Sequence, residues 1–302
     1  MIFISEEQVE QHLDLAELMQ IMRSALADLS AGDAVQPLRD VLPVPRQHAW
    51  FGSMPAIYGD VLGAKLVTVY PSNSDINLPT HQALIPLFDR QTGEPLAVVG
   101  GRTITAWRTA AVAALATTEL ADPGAKVLAV LGSGVQARTN LKMLRTIRNF
   151  EQVRVWSRNP DHAEQFARES GAKAVSAEDA VRGADVIVTV THSSEPVLKG
   201  EWIKDGAHIN AIGAVGVHAR ELDTPAMQNG AVIVESREAA LRESGDIVSS
   251  GAEIYAELGE ILSGRKPKPQ ANKTIYKSLG VAVEDVAAAW MIYRRISRQA
   301  HS

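Results

Sequence analysis

The chain has 302 residues, 46% hydrophobic and 22% charged, with a formal net charge of -5 and no cysteine. This is the composition of a globular protein with length for two domains, or for one domain interrupted by another. Disulfides, thiolate metal sites and a cysteine nucleophile are excluded, and nucleic-acid binding has no support, because the one basic run, residues 264–268, is short and broken by Pro267.

The N-terminal MIFISEEQVEQHLD turns acidic too early for a secretory signal, and the longest small-apolar run, residues 110–116, is far short of a bilayer span. The expectation is a soluble, cytoplasmic protein. Asp14 predicts the cap of an amphipathic helix carrying Leu15, Leu18, Met19, Met22, Leu26 and Leu29. Residues 61–100 then hold short β-rich runs, GAKLVTVYP, ALIPLFD and PLAVVG, separated by turn signals, which predict a strand meander. An alanine-rich helix over 103–120 stops at Ala121-Asp122-Pro123-Gly124, where the first domain boundary is placed. Beyond it, strands (KVLAVLG, VRVWS, DVIVTVT, AHINAIG, AVIVES) alternate with helices, one of them begun by Asn159-Pro160 and ended near Gly171. Buried strands alternating with helices predict an α/β, Rossmann-type, doubly wound parallel sheet. GRKPKPQAN reads as a second linker, and KSLGVAVEDVAAAWMIYRRISRQ as one amphipathic helix returning to the first domain. The predicted division is 1–120 plus 272–302, a smaller α+β substrate and dimerisation domain, around an inserted nucleotide domain, 121–271.

Directly after the strand KVLAVL comes Gly132-Ser133-Gly134-Val135-Gln136-Ala137, a G-x-G-x-x-A turn opening a helix. The first glycine permits the tight turn, the second lets backbone approach a pyrophosphate, and the small third position lets helix and strand pack closely. The helix N-terminus then suits an anion. At the end of the second strand, where an acid commonly binds the ribose hydroxyls of NAD, the chain reads Trp156-Ser157-Arg158-Asn159, with no carboxylate before Asp161. Arg158 would pair with a 2′-phosphate, so NADP is favoured and NAD remains possible.

Strand alternation puts Lys65 on one face with Val67 and Val69. It is either an edge lysine that discourages aggregation or an ammonium directed into a pocket. Arg108 is placed near the start of the alanine-rich helix, where a cation makes most sense beside a bound anion. Arg39, in VQPLRDVLPVP, reads unaided as structural. There is no G-x-S-x-G elbow, H-E-x-x-H or cysteine-histidine zinc spacing, and His81, His192, His208 and His218 are dispersed, so no metal is expected.

In order along the chain, VQPLR, GAKLVTVYPSN, LPTHQALIPLFDRQTGEPLAVVGG, ITAWRTAAVAALAT, LGSGVQAR, GADVIVTVT, GAHINAIGA, REL with Asp223, ESGDIVSSGAEIYAELGEILSG and KSLGVAVEDVAAA resemble the ornithine cyclodeaminase and mu-crystallin family over nearly the whole length. The resemblance implies a homodimer and an inserted Rossmann domain. It implies that Arg39, Lys65 and Arg108 hold the substrate carboxylate and reacting nitrogen, with Leu279 lining the substrate side. Cofactor contacts implied in the same way are Thr80, Arg108, Thr109, Gly132, Gly134, Val135, Gln136, Ser157, Arg158, Asn159, Thr191, Ile212, Gly213 and Ser278. Ornithine-cyclising members carry a proton-transferring aspartate where this chain has Val215, and valine cannot accept a proton. Nearby Asp223 reads equally as a capping residue. The resemblance therefore implies a reductase of α-imino acids such as pyrroline- or piperideine-2-carboxylate. The alternatives are an alanine- or aspartate-forming dehydrogenase or acyclic imine reductase, an ornithine cyclodeaminase, and a non-catalytic NADPH-loaded binding protein.

Overall fold

The computed structural model describes residues 1–299, in two units: residues 1–108 with 280–299, and residues 109–279. In the first unit, β1 (Ile2–Ile4), α1 (Glu6–His12) and α2 (Leu15–Ala31) precede β2 (Asp40–Val44), β3 (Ala49–Tyr58), β4 (Val61–Val69), β5 (His81–Asp89) and β6 (Pro95–Gly100). Asp14 caps α2 by accepting the Ala16 and Glu17 N–H groups, as its position predicts. The sheet order is β1-β6-β5-β4-β3-β2, an antiparallel meander with β1 added parallel to β6. Residues 61–100 announced three of these strands. β3, AWFGSMPAIY, escaped because Gly52 and Pro55 interrupt its apolar alternation.

One face of this sheet buries Met54, Val61, Val67, Ile85, Leu87 and Val99. The last helix, Ala282–Gln299, packs across β3, β4 and β5 and against α2. Each such apolar side chain contributes roughly 1.5–3 kcal/mol on burial. On the opposite face Phe3, Phe51 and Leu84 are exposed and line a shallow depression with Leu66.

The helix α3 (Gly101–Leu120) runs through the junction of the two units, so the boundary falls at 108/109 and not after Leu120. The second unit holds β7 (Val127–Leu131), α4 (Val135–Ile147), β8 (Gln152–Trp156), α5 (Pro160–Ser170), β9 (Lys173–Ala174), α6 (Ala177–Val181), β10 (Val186–Thr189) and β11 (His208–Ala211). Then come α7 (Thr224–Met227), β12 (Ala231–Val234), α8 (Arg237–Glu243), α9 (Gly245–Ser250), β13 (Ile254–Glu257), α10 (Leu258–Leu262) and β14 (Thr274–Lys277). All eight strands pair parallel, in the order β13-β12-β14-β11-β10-β7-β8-β9, so the strand order reverses between β7 and β10. That is the position at which open α/β sheets bind ligands beyond their strand ends.

The second boundary also moves. GRKPKPQAN is followed by β14, which lies between β11 and β12 inside the sheet, so the unit continues to Leu279 and the last helix starts only at Ala282. TIYK falls between the linker and helix patterns of the sequence and is too short to announce a strand by itself, although all four of its residues are buried. The latter half of α3 is tied to the sheet through Asn210 Nδ2, which donates to Thr117 Oγ1 at 2.8 Å. Asn210 Oδ1 and Thr274 Oγ1 flank the His208 ring, whose pKa burial pushes down to about 4. Among the described residues no helix is long and apolar enough to cross a membrane.

Candidate active site

Lys65 lies on β4 between β3 and β5, so it is not an edge residue, and its side chain joins the buried face with only 3% exposure. Its Nζ sits 2.7 Å from Asp285 Oδ2, on the first turn of the last helix. The other Asp285 oxygen, Oδ1, accepts from Arg108 Nε at 3.0 Å, and Arg108 Nη1 is 2.6 Å from Glu284 Oε2. Arg108 is thus roughly two turns inside α3, and the expected anion at the helix start is replaced by this acidic pair.

Arg39 is half-buried just before β2, and its Nη2 donates to the Gly280 carbonyl at 2.7 Å. Gly280 has φ +72°, and a Cβ there would lie 2.6 Å from both terminal nitrogens of Arg108. Only glycine allows this contact. Arg39, Lys65 and Arg108, widely separated in sequence, therefore converge on Gly280 and Asp285.

Burial pushes the Lys65 pKa down to about 8, against the pull of Asp285 and with added repulsion from Arg108. Burial by itself would raise the Asp285 carboxyl, but Arg108 and Lys65 outweigh it and hold Asp285 below the usual carboxylate range. His81, paired with Val69 on the same sheet face as Lys65, is pushed down to about 4 by burial and by the Lys65 charge. The cluster thus offers an ammonium able to release a proton near neutrality, two guanidinium groups and a neutral imidazole.

In the second unit the expected cofactor positions lie just beyond strand ends. Gly132 has φ +128°, and a Cβ on it would meet the Val190 carbonyl oxygen at 2.8 Å. Around Gly134 a Cβ would meet nothing within 4 Å, leaving room for a ligand to approach the backbone. Gly134 is the N-cap of α4 and brings no side-chain cap, so the first-turn N–H groups at Val135 and Gln136 suit a phosphate. Ser133 Oγ donates to Ser157 Oγ at 2.9 Å, joining this turn to the end of β8. Exposed Arg158 follows, while the Asn159 side chain caps α5 through the Asp161 N–H. These features fit a dinucleotide pyrophosphate. Among the described residues no group of three or more acidic or histidine side chains stands ready for a metal.

Thr191, Ile212 and Gly213 follow β10 and β11, and Ser278 and Leu279 follow β14. Ser278 Oγ and the Leu279 N–H both donate to Glu235, at 2.7 Å each. Thr109 is buried on α3; Thr80, exposed before β5 in the first unit, is not brought into the Lys65 cluster by any hydrogen bond or ion pair shown. Three buried charges that motif reading overlooked, Glu221, Asp246 and Lys277, hold the loops after β10 and β11. Their flanking residues carry no spacing signal, since the three stand far apart in the sequence and meet only through the fold. Asp285 was overlooked for a different reason, because acids in a first helical turn ordinarily serve the helix dipole. Asp223 caps α7 and also accepts the Gly200 N–H at 2.9 Å, which settles its capping role.

The model of the ornithine cyclodeaminase/mu-crystallin family matches residues 1–300. The chain belongs to this family. It is 47% identical to the mouse ketimine reductase mu-crystallin, covering 96% of each chain. It is similar to the solved Δ1-pyrroline-2-carboxylate reductase of Thermococcus litoralis, in complex with NADH and L-proline (TM-score 0.94, 36% identity, 99% and 98% covered). An archaeal alanine dehydrogenase dimer with bound NAD is likewise similar (TM-score 0.92, 32% identity, 99% and 96% covered). In this family member the loop after β11 presents Val215, 39% exposed.

Proposed function

We propose that this family member is a cytoplasmic, NAD(P)H-dependent reductase of α-imino acids, forming L-amino acids, with cyclic ketimines such as pyrroline- and piperideine-2-carboxylate as its first substrates. The observation that carries the reading is the buried Lys65 ammonium held by Asp285 beside two arginines, in a chain that also has a dinucleotide turn. Arg39 and Arg108 bind the substrate carboxylate and so fix the position of the imine, with Leu279 packing against the substrate carbon skeleton. The α4 turn, with Gly132, Gly134, Val135 and Gln136, holds the pyrophosphate; Thr80, Thr109, Ser157, Asn159, Thr191, Ile212, Gly213 and Ser278 complete the cofactor contacts. These residues would hold a reduced nicotinamide, whose chemistry would be hydride donation to the C=N carbon. The nitrogen then needs a proton, and Lys65 Nζ gives it. A group with a pKa of about 8 is mostly protonated at pH 7 yet releases its proton easily.

Arg158, without a carboxylate beside it, favours NADPH over NADH. The exposed apolar face at Phe3, Phe51 and Leu84 fits a second copy of the chain, giving a homodimer. The test is oxidation of NADPH and NADH at 340 nm with pyrroline-2-carboxylate, piperideine-2-carboxylate, and pyruvate or oxaloacetate with ammonia. Turnover of a preformed cyclic imine without ammonia, faster with NADPH, is expected. Turnover only with an oxo acid and ammonia would make the protein an amino-acid dehydrogenase or acyclic imine reductase instead. Cofactor binding without any turnover would favour the binding-protein reading.

A further inference from the structure

The Glu221 carboxylate is fully buried and surrounded by donors from both loops beyond β10 and β11. Oε1 accepts the Thr191 N–H at 2.5 Å and the Thr191 hydroxyl at 2.8 Å. Oε2 accepts the Thr189 hydroxyl at 2.9 Å and the Gly213 and Ala214 N–H groups at 2.8 and 3.1 Å. Three of the five are backbone N–H groups, which can only donate, so both oxygens must be acceptors. A carboxylate meets that demand; a carboxamide would turn N–H against N–H on one side.

A second layer holds this carboxylate in place. Asp246 Oδ1 accepts the Glu221 and Leu222 N–H groups at 2.8 and 3.0 Å. The buried Lys277 ammonium lies 3.0 Å from Asp246 Oδ2 and donates to the Ala214 carbonyl at 2.7 Å. The two loops pack backbone to backbone here, since a Cβ on Gly213 would sit 2.2 Å from the Thr191 backbone.

We propose that Glu221 is a positioning residue which, by taking the only hydrogen of the Thr191 hydroxyl, presents that hydroxyl to the cofactor as an acceptor alone. It would therefore hold the carboxamide N–H of the nicotinamide half, a donor that ADP-ribose lacks. This rests on the cofactor reading above. The half in question follows from topology: the turn after β7 takes the pyrophosphate and the end of β8 the adenosine ribose, which leaves the ends of β10 and β11 for the other half.

The test is a double-mutant cycle on Glu221→Gln and Thr191→Val. Dissociation constants are measured for the reduced dinucleotide that the wild type prefers and for the matching ADP-ribose, or 2′-phospho-ADP-ribose, which lacks nicotinamide. Each single variant is expected to bind the dinucleotide about tenfold more weakly, the ~1.4 kcal/mol of one hydrogen bond, and the ADP-ribose unchanged. The double variant should be no weaker than either single one, since Glu221 acts through Thr191. Additive losses, equal losses for both ligands, or wild-type dinucleotide binding by Glu221→Gln would overturn the proposal. Should Glu221→Gln fail to fold, Thr191→Val and Thr191→Ser decide: loss confined to the dinucleotide in the first and recovery in the second support it, and unchanged binding by Thr191→Val overturns it. Wild-type protein that binds neither dinucleotide overturns the cofactor reading itself, whereas normal wild-type binding with an insensitive Thr191→Val overturns this proposal alone.

Discussion

Replacing Asp285 by Asn removes the anion that Lys65 and Arg108 share while keeping the shape of the side chain. Lys65 Nζ lies 2.7 Å from Asp285 Oδ2 and both are buried. A close pair at an effective dielectric near 20 is worth ~4 kcal/mol. Losing only a third of that, ~1.4 kcal/mol, is one pH unit. The sign follows from which form the anion favours: Asp285 stabilises the ammonium, so its removal lowers the Lys65 pKa further. If Lys65 must be protonated to deliver its proton, kcat/KM for imine reduction by the wild type falls as pH rises through about 8. In Asp285→Asn the fall should come at least about one unit lower. The assay is the pH profile of kcat/KM from pH 5.5 to 9.5 with saturating cofactor, run well below each protein's melting temperature. An Asp285→Asn profile that breaks at the wild-type pH would refute the assignment of Lys65 as proton donor.

Lys65→Met removes the ammonium at similar length; turnover should drop by about a hundredfold or more while cofactor affinity, read by fluorescence titration, stays the same. Appreciable turnover would return the lysine to a structural role. Phe51→Glu combined with Leu84→Glu puts charge on the exposed sheet face and should convert a dimer into a monomer by light scattering. An unchanged mass would count against that face as the interface.

The parts of the fold that sequence made legible are those whose local pattern is strong. The α2 cap at Asp14, the β7 strand with its glycine turn and the Asn159-Pro160 start of α5 each carry their own chemistry within a few residues. β14 and the true domain boundary did not, because a four-residue strand takes its identity from β11 and β12 on either side. The site divides in the same way. Lys65 was conspicuous as a charge on an apolar strand face, and the structure removes the edge-strand explanation by flanking β4 on both sides. Its partner Asp285 is more than two hundred residues away in the chain, and the Gly280 contact that gathers Arg39 and Arg108 depends on a positive φ invisible in composition. The Glu221, Asp246 and Lys277 network was hidden for the same reason, since its logic lies in hydrogen bonds between loops.

The most direct test of the central claim is to reduce pyrroline-2-carboxylate with cofactor deuterated at the transferring C4 position and to examine the product by NMR and mass spectrometry. The account predicts L-proline with one deuterium at Cα, and a nitrogen proton drawn from solvent-exchangeable sites. Proline formed without deuterium at Cα, or no proline formed while the reduced cofactor stays unconsumed, would contradict it.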